Sequence, residues 1–95
     1  MRLPPDIAST IKNRILESTP NADIFLFGSR VDDSAKGGDI DLLIITEEKL
    51  PLVFINQIRR LILNEIGEQK IDIVNFTKST THPFKSLALE SAIRL

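Results

Sequence analysis

The chain of 95 residues predicts an α/β (α+β) fold, a small mixed β-sheet flanked by helices. Three observations lead there. Apolar residues recur at helical spacing in two stretches, one near the N-terminus and one from Pro51 to Ile66. Three short runs, DIFLF, DIDLLIIT and KIDIVNF, are instead nearly continuous in apolar and β-branched residues, as buried strands are. The order is helix, strand, strand, helix, strand, helix. A loop between the first two strands suits antiparallel pairing, and a helix between the second and third suits a right-handed parallel crossover.

Each element has its own local reason. Pro4 and Pro5 suit the first turn of a helix, where a missing N–H costs little. Ile7, Ile11 and Ile15 then form a stripe widened by Ala8 and Leu16, and Pro20 disfavours helical geometry at Thr19, so this helix should stop near Ser18. Asp23 to Phe27 reads as a strand ended by Gly28. Ser29 to Gly38 is polar, and Gly37-Gly38 marks a loop. Asp39 to Thr46 is the second strand. From Pro51 to Ile66 the apolar side holds Phe54, Ile55, Ile58, Leu61, Ile62 and Ile66, with Gly67 as a C-terminal cap. Lys70 to Phe76 is the third strand. Thr80 or Thr81 is the expected cap of a last helix running through His82-Pro83 to about Glu90, and Ala92 to Leu95 a short edge strand.

Composition narrows the class. The length suits one domain, residues 1–95, and the chain is 42% apolar and 26% charged, as soluble globular proteins are. A net charge of −1 offers no basic footprint for a phosphate backbone, so general nucleic-acid binding is not expected. There is no cysteine, which excludes disulfides, thiolate metal sites and cysteine nucleophiles. The opening MRLPPDIAS lacks the apolar region of a signal peptide, and no apolar run approaches the ~20 residues of a membrane span. The expected location is the cytoplasm.

Chemistry is suggested by acid inside strands. Asp39 and Asp41 flank Ile40, and strand side chains alternate, so both carboxylates point the same way. Asp72 lies in IDIV, a run that otherwise reads as core. Taken singly, Asp39 could end a loop and Asp72 could sit at a solvated strand edge. Taken together, three converging carboxylates would repel one another, and a bound Mg²⁺ with its preference for oxygen ligands removes that penalty. Gly28-Ser29 directly follows the first strand. Glycine permits close backbone approach, successive N–H groups can cradle an anion, Ser29 adds a hydroxyl, and Arg30 adds a fixed positive charge suited to phosphate.

With GSRVDDSAKGGDIDLLI followed by KIDIV, the chain resembles the nucleotidyltransferases of the DNA polymerase β superfamily. It is most similar to the minimal nucleotidyltransferases paired with a helical HEPN-type protein in prokaryotic toxin–antitoxin modules. The resemblance implies that Gly28 and Ser29 take the phosphates and that Asp39, Asp41 and Asp72 are the catalytic and metal-holding carboxylates, with Asp72 also orienting the attacking hydroxyl. It implies two divalent ions, Mg²⁺ in the first place, and a nucleoside triphosphate, ATP in the first place. The acceptor implied is a hydroxyl on the HEPN-type partner, attacked in line with loss of pyrophosphate. Nine residues separate Ser29 from Asp39, one fewer than in the commoner form of the motif.

The remaining polar residues have plainer readings. Asp32, Asp33 and Lys36 read as a solvated turn, and His82 before Pro83 as a helix start. Phe25, Phe27, Phe54, Phe76 and Phe84 read as core or interface packing, not as platforms for a base. The helix from Pro51 to Ile66 carries more apolar surface than one core face needs, and the excess could cover a partner. That leaves a binding module, an antitoxin that masks a HEPN-type ribonuclease by contact alone, as the alternative to an enzyme. A transferase acting on a small hydroxyl or an RNA end is a third reading.

Overall fold

A computed structural model describes residues 4–27, 40–67 and 70–95. Along the chain they form α1 (Pro5–Ser18), β1 (Asp23–Phe27), β2 (Ile40–Thr46), α2 (Leu52–Ile66), β3 (Ile71–Thr77), α3 (Pro83–Ser91) and β4 (Ile93–Arg94). The strands lie in the order β3-β2-β1-β4. β1 runs antiparallel to β2 and to β4, and β2 runs parallel to β3. The mixed sheet expected from the connections is present, with β3 and β4 on its edges.

The sheet divides the molecule into two unequal layers. Ile24, Leu26, Ile40, Leu42, Ile44 and Ile71 turn to one face and pack with Ile11 and Ile15 of α1 and Ile58 and Ile62 of α2. Leu43 and Ile45 turn to the other, where Phe25, Phe27, Val74 and Phe76 surround them and α3 contributes Ala88 and Leu89. One face is covered by two long helices and the other by one short one. Period-two alternation is what lets a seven-residue strand such as β2 serve both layers.

The helix ends follow local chemistry. α1 begins behind Pro4 and ends at Ser18, with the Thr19 N–H returning to the Ile15 carbonyl at 2.8 Å. Pro51 sits just outside α2 in extended geometry rather than within it. Gly67 closes α2 at φ 89°, a conformation that glycine adopts without the steric cost a side chain brings, and its N–H bonds the Leu63 carbonyl at 2.9 Å. Ile55, Ile58 and Ile62 of α2 are buried as the periodicity predicts, but Leu61 is exposed, on a flank that no described element covers.

The last helix starts differently from the sequence expectation. Neither Thr80 nor Thr81 caps it. His82 does, its Nδ1 accepting from the Phe84 N–H at 3.0 Å. Pro83 disfavours helical geometry in the residue before it, and His82 is extended at φ −75°, ψ 138°, so the helix begins at Pro83 and the capping position falls one residue earlier. Thr80 instead shares a 2.6 Å hydroxyl contact with Thr77. Lys85, one turn into α3, donates through Nζ to the carbonyls of Thr77, Lys78 and Thr80 at 2.9–3.2 Å and ties the helix to the connection that feeds it.

Candidate active site

Two of the three predicted carboxylates fall within the described residues, and the sheet places them side by side. Asp41 on β2 is the register partner of Asp72 on β3, and on its other side Asp41 is the partner of Phe27, the last residue of β1. Residues paired in register share a face, so Asp72, Asp41 and Phe27 form one row across three strands. Ile40 and Leu42, the neighbours of Asp41, are fully buried on the opposite face. Alternation therefore directs Asp41 to the thinly covered side, the side of α3.

The two carboxylates differ in surroundings. Asp41 is half-buried and Asp72 is exposed. Burial alone thus places no demand for a counter-charge on Asp72; their pairing carries the weight. Neighbouring strands lie about 4.8 Å apart. Like charges at about that spacing repel by roughly 1 kcal/mol at the dielectric of water, and by several-fold more where protein displaces water. Matched acids on adjacent strands of a sheet are disfavoured unless something positive is drawn between them.

Asp39 lies outside the described residues, as do Gly28, Ser29 and Arg30. What the described residues establish is where their segments attach. Gly28 follows Phe27, and Asp39 precedes Ile40, which pairs with Ile71 beside the carboxylate row. Phe27 and Ile40, the described residues that flank the GS…D segment, therefore both lie at the end of the sheet where Asp41 and Asp72 meet. Among the described residues, no group of three histidine, cysteine, aspartate or glutamate side chains is arranged to hold a metal ion. The described part of the donor set is two carboxylates, hard oxygen donors of the kind that Mg²⁺ takes.

A family model described as the nucleotidyltransferase domain matches residues 8–95, a span that includes the carboxylate row and the segment between β1 and β2. The chain belongs to the nucleotidyltransferase domain family. No curated protein gives a significant match. Membership accords with the mixed sheet and three helices described, and it makes transfer of a nucleotidyl group the general role of this nucleotidyltransferase. Among the described residues no helix is long and apolar enough to cross a membrane.

Sequence reasoning overlooked one buried residue that braces the site's framework. Asn75 on β3 is 3% exposed. Its Nδ2 donates to the Ile44 carbonyl at 3.0 Å and to Thr46 Oγ1 at 3.1 Å, and its Oδ1 accepts from the Leu50 N–H at 2.7 Å. The residue clamps β2, β3 and the entry to α2 at the end of the sheet opposite the carboxylates. The signal was legible, since an asparagine in the apolar run IDIVNF needs partners.

Proposed function

We propose that residues 1–95 act as one nucleotidyltransferase domain that moves an NMP group, AMP from ATP in the first place, onto a hydroxyl of a partner protein. The observation that supports this reading best is the register match of Asp41 with Asp72, one strand away from Phe27 and the GS pair that follows it. Asp39, Asp41 and Asp72 would hold two divalent ions, with Mg²⁺ favoured by an all-carboxylate donor set. When bound, such ions stabilise the charge on the attacking and leaving oxygens of an in-line displacement.

The rest falls to the chain's own groups. Backbone N–H groups at Gly28 and Ser29, the Ser29 hydroxyl and the Arg30 guanidinium hold the phosphates and fix the α-phosphorus in line with the acceptor. Asp72, exposed at the sheet edge, orients the acceptor hydroxyl. The acceptor oxygen bonds to the α-phosphorus as the bond to the bridging oxygen breaks and pyrophosphate leaves. The hydroxyl proton passes to a carboxylate of the row. Positioning and charge stabilisation supply most of the rate in transfers of this kind.

The likeness to minimal nucleotidyltransferases supports a cytoplasmic antitoxin role with a HEPN-type helical partner as acceptor. A net charge of −1 supports a protein rather than a general nucleic-acid partner. One observation favours a second reading, an antitoxin that works by contact alone: Leu52, Val53 and Leu61 leave apolar surface exposed on α2. Transfer of α-phosphate label from ATP with Mg²⁺ into the co-expressed partner tests the first reading, with Asp41→Asn as the control. Label with wild type and a loss of at least about 100-fold in the variant is expected. If neutralisation of the partner survives Asp41→Asn undiminished and wild type transfers no label, contact alone is the function.

A further inference from the structure

Four of the five phenylalanines are partly buried against the two cores, as the sequence predicts: Phe54 beside the α1/α2 layer, and Phe25, Phe27 and Phe76 beneath α3. Phe84 is different. It stands on the first turn of α3 with 39% of its surface exposed, and Leu87, three residues on and therefore on the same side of the helix, is 65% exposed. The Phe84 ring lies 5.9 Å from that of Phe27 in edge-to-face geometry, 79° between planes, and 6.3 Å from that of Phe76. Phe27 is the third member of the row Asp72–Asp41–Phe27. One inter-strand spacing and one ring contact thus separate Phe84 from Asp41, roughly 10 Å in all.

The ring is also held in place. The Phe84 backbone N–H donates to His82 Nδ1, and Lys85 anchors the same turn to three carbonyls. No acidic residue lies in that turn to repel an anion. An exposed aromatic ring on a braced turn, beside carboxylates on the open side of a sheet, is a stacking surface at nucleotide distance from the charged end of the site.

We propose that Phe84, extended by Leu87, is the seat of the nucleobase, so that the triphosphate lies from Phe84 across Phe27 to the Asp41–Asp72 pair. This rests on the nucleotidyl-transfer reading of the carboxylate row. Stacking on a ring is tolerant of base identity because every base has a π-face, so the seat discriminates base from no base more than one base from another. Phe84 is a binding residue, not a catalytic one.

The chain has no tryptophan and no tyrosine, so Phe84→Trp installs a single fluorophore at the seat. Saturable quenching of that tryptophan by Mg²⁺ with ATP, GTP, CTP or UTP is expected, purines quenching more. Inorganic tripolyphosphate, which has no base, should quench little. Leu61→Trp, on the uncovered flank of α2, should respond to none of them. Equilibrium dialysis with labelled ATP gives the second measurement. Phe84→Ala should raise the Kd about tenfold, a typical value for losing one stacked base, while leaving the Kd for tripolyphosphate unchanged. Phe84→Leu keeps apolar bulk against Phe27 and Phe76, and it should weaken ATP binding while unfolding at the wild-type temperature. Wild type that binds ATP, with Phe84→Ala and Phe84→Leu binding it equally well, overturns the base seat alone. Wild type that binds no nucleoside triphosphate overturns the transfer reading and the seat with it.

Discussion

Asn75 is a buried polar residue whose side chain is fully engaged. Its amide satisfies three groups, two on β2 and one at the entry to α2, and two of those contacts are buried. Asn75→Ala leaves the Leu50 N–H without its acceptor and removes the donor to Ile44 and Thr46. Unpaired buried polar groups cost about 1–3 kcal/mol, so a loss of about 2–3 kcal/mol is expected. Urea unfolding should show a lower midpoint with an unchanged slope. Because Asn75 sits at the far end of β3 from Asp72, nucleotide affinity of the folded variant should match wild type.

At the scale of the element, β3 faces a problem common to sheet edges, since unpaired backbone groups invite another strand. Along its length the carbonyls of Ile71, Asn75 and Thr77 each accept from a cationic side chain: Arg59 Nε at 3.1 Å, Lys49 Nζ at 2.7 Å and Lys85 Nζ at 3.0 Å. α2, the approach to α2, and α3 supply one cation each, so the edge is guarded by the elements around it. The Lys49→Ala/Arg59→Ala double variant uncovers two of the three carbonyls. Light scattering should then show concentration-dependent association that wild type lacks at the same concentration. A variant that stays as monodisperse as wild type would mean that the cations do not guard the edge.

At the scale of the molecule the described residues form a sheet with two coverings of unequal thickness, and Asp41 lies on the thinly covered side. Anything that binds the folded chain and not the unfolded one stabilises it, by about 2.7 kcal/mol at a hundred times Kd. For a domain of this size that corresponds to a rise in Tm of roughly 10 °C or more. Mg²⁺ and ATP together should produce such a rise in wild type, and chelation of the metal should remove most of it. Asp41→Asn should show a markedly smaller rise from its own starting Tm.

Much of this was legible in the residues themselves. Helical spacing in Ile7, Ile11 and Ile15, strand-like continuity in DIFLF and IDLLIIT, and connection length led to the elements and to the mixed sheet. Those signals are local, and local sterics and hydrophobic burial decide them. Even the cap at His82 could have been read, since Pro83 alone dictates it. Alternation likewise put Asp39 and Asp41 on one side of their strand, and acid inside the otherwise apolar run IDIV singled out Asp72 as their companion. Register was not legible, because pairing across strands depends on how two distant segments settle over a common core. Only the tertiary structure put Asp41 beside Asp72, left Leu61 uncovered and set Phe84 half-open next to Phe27. A sequence states which residues prefer burial; which of them are denied it follows from how many helices there are to cover each face.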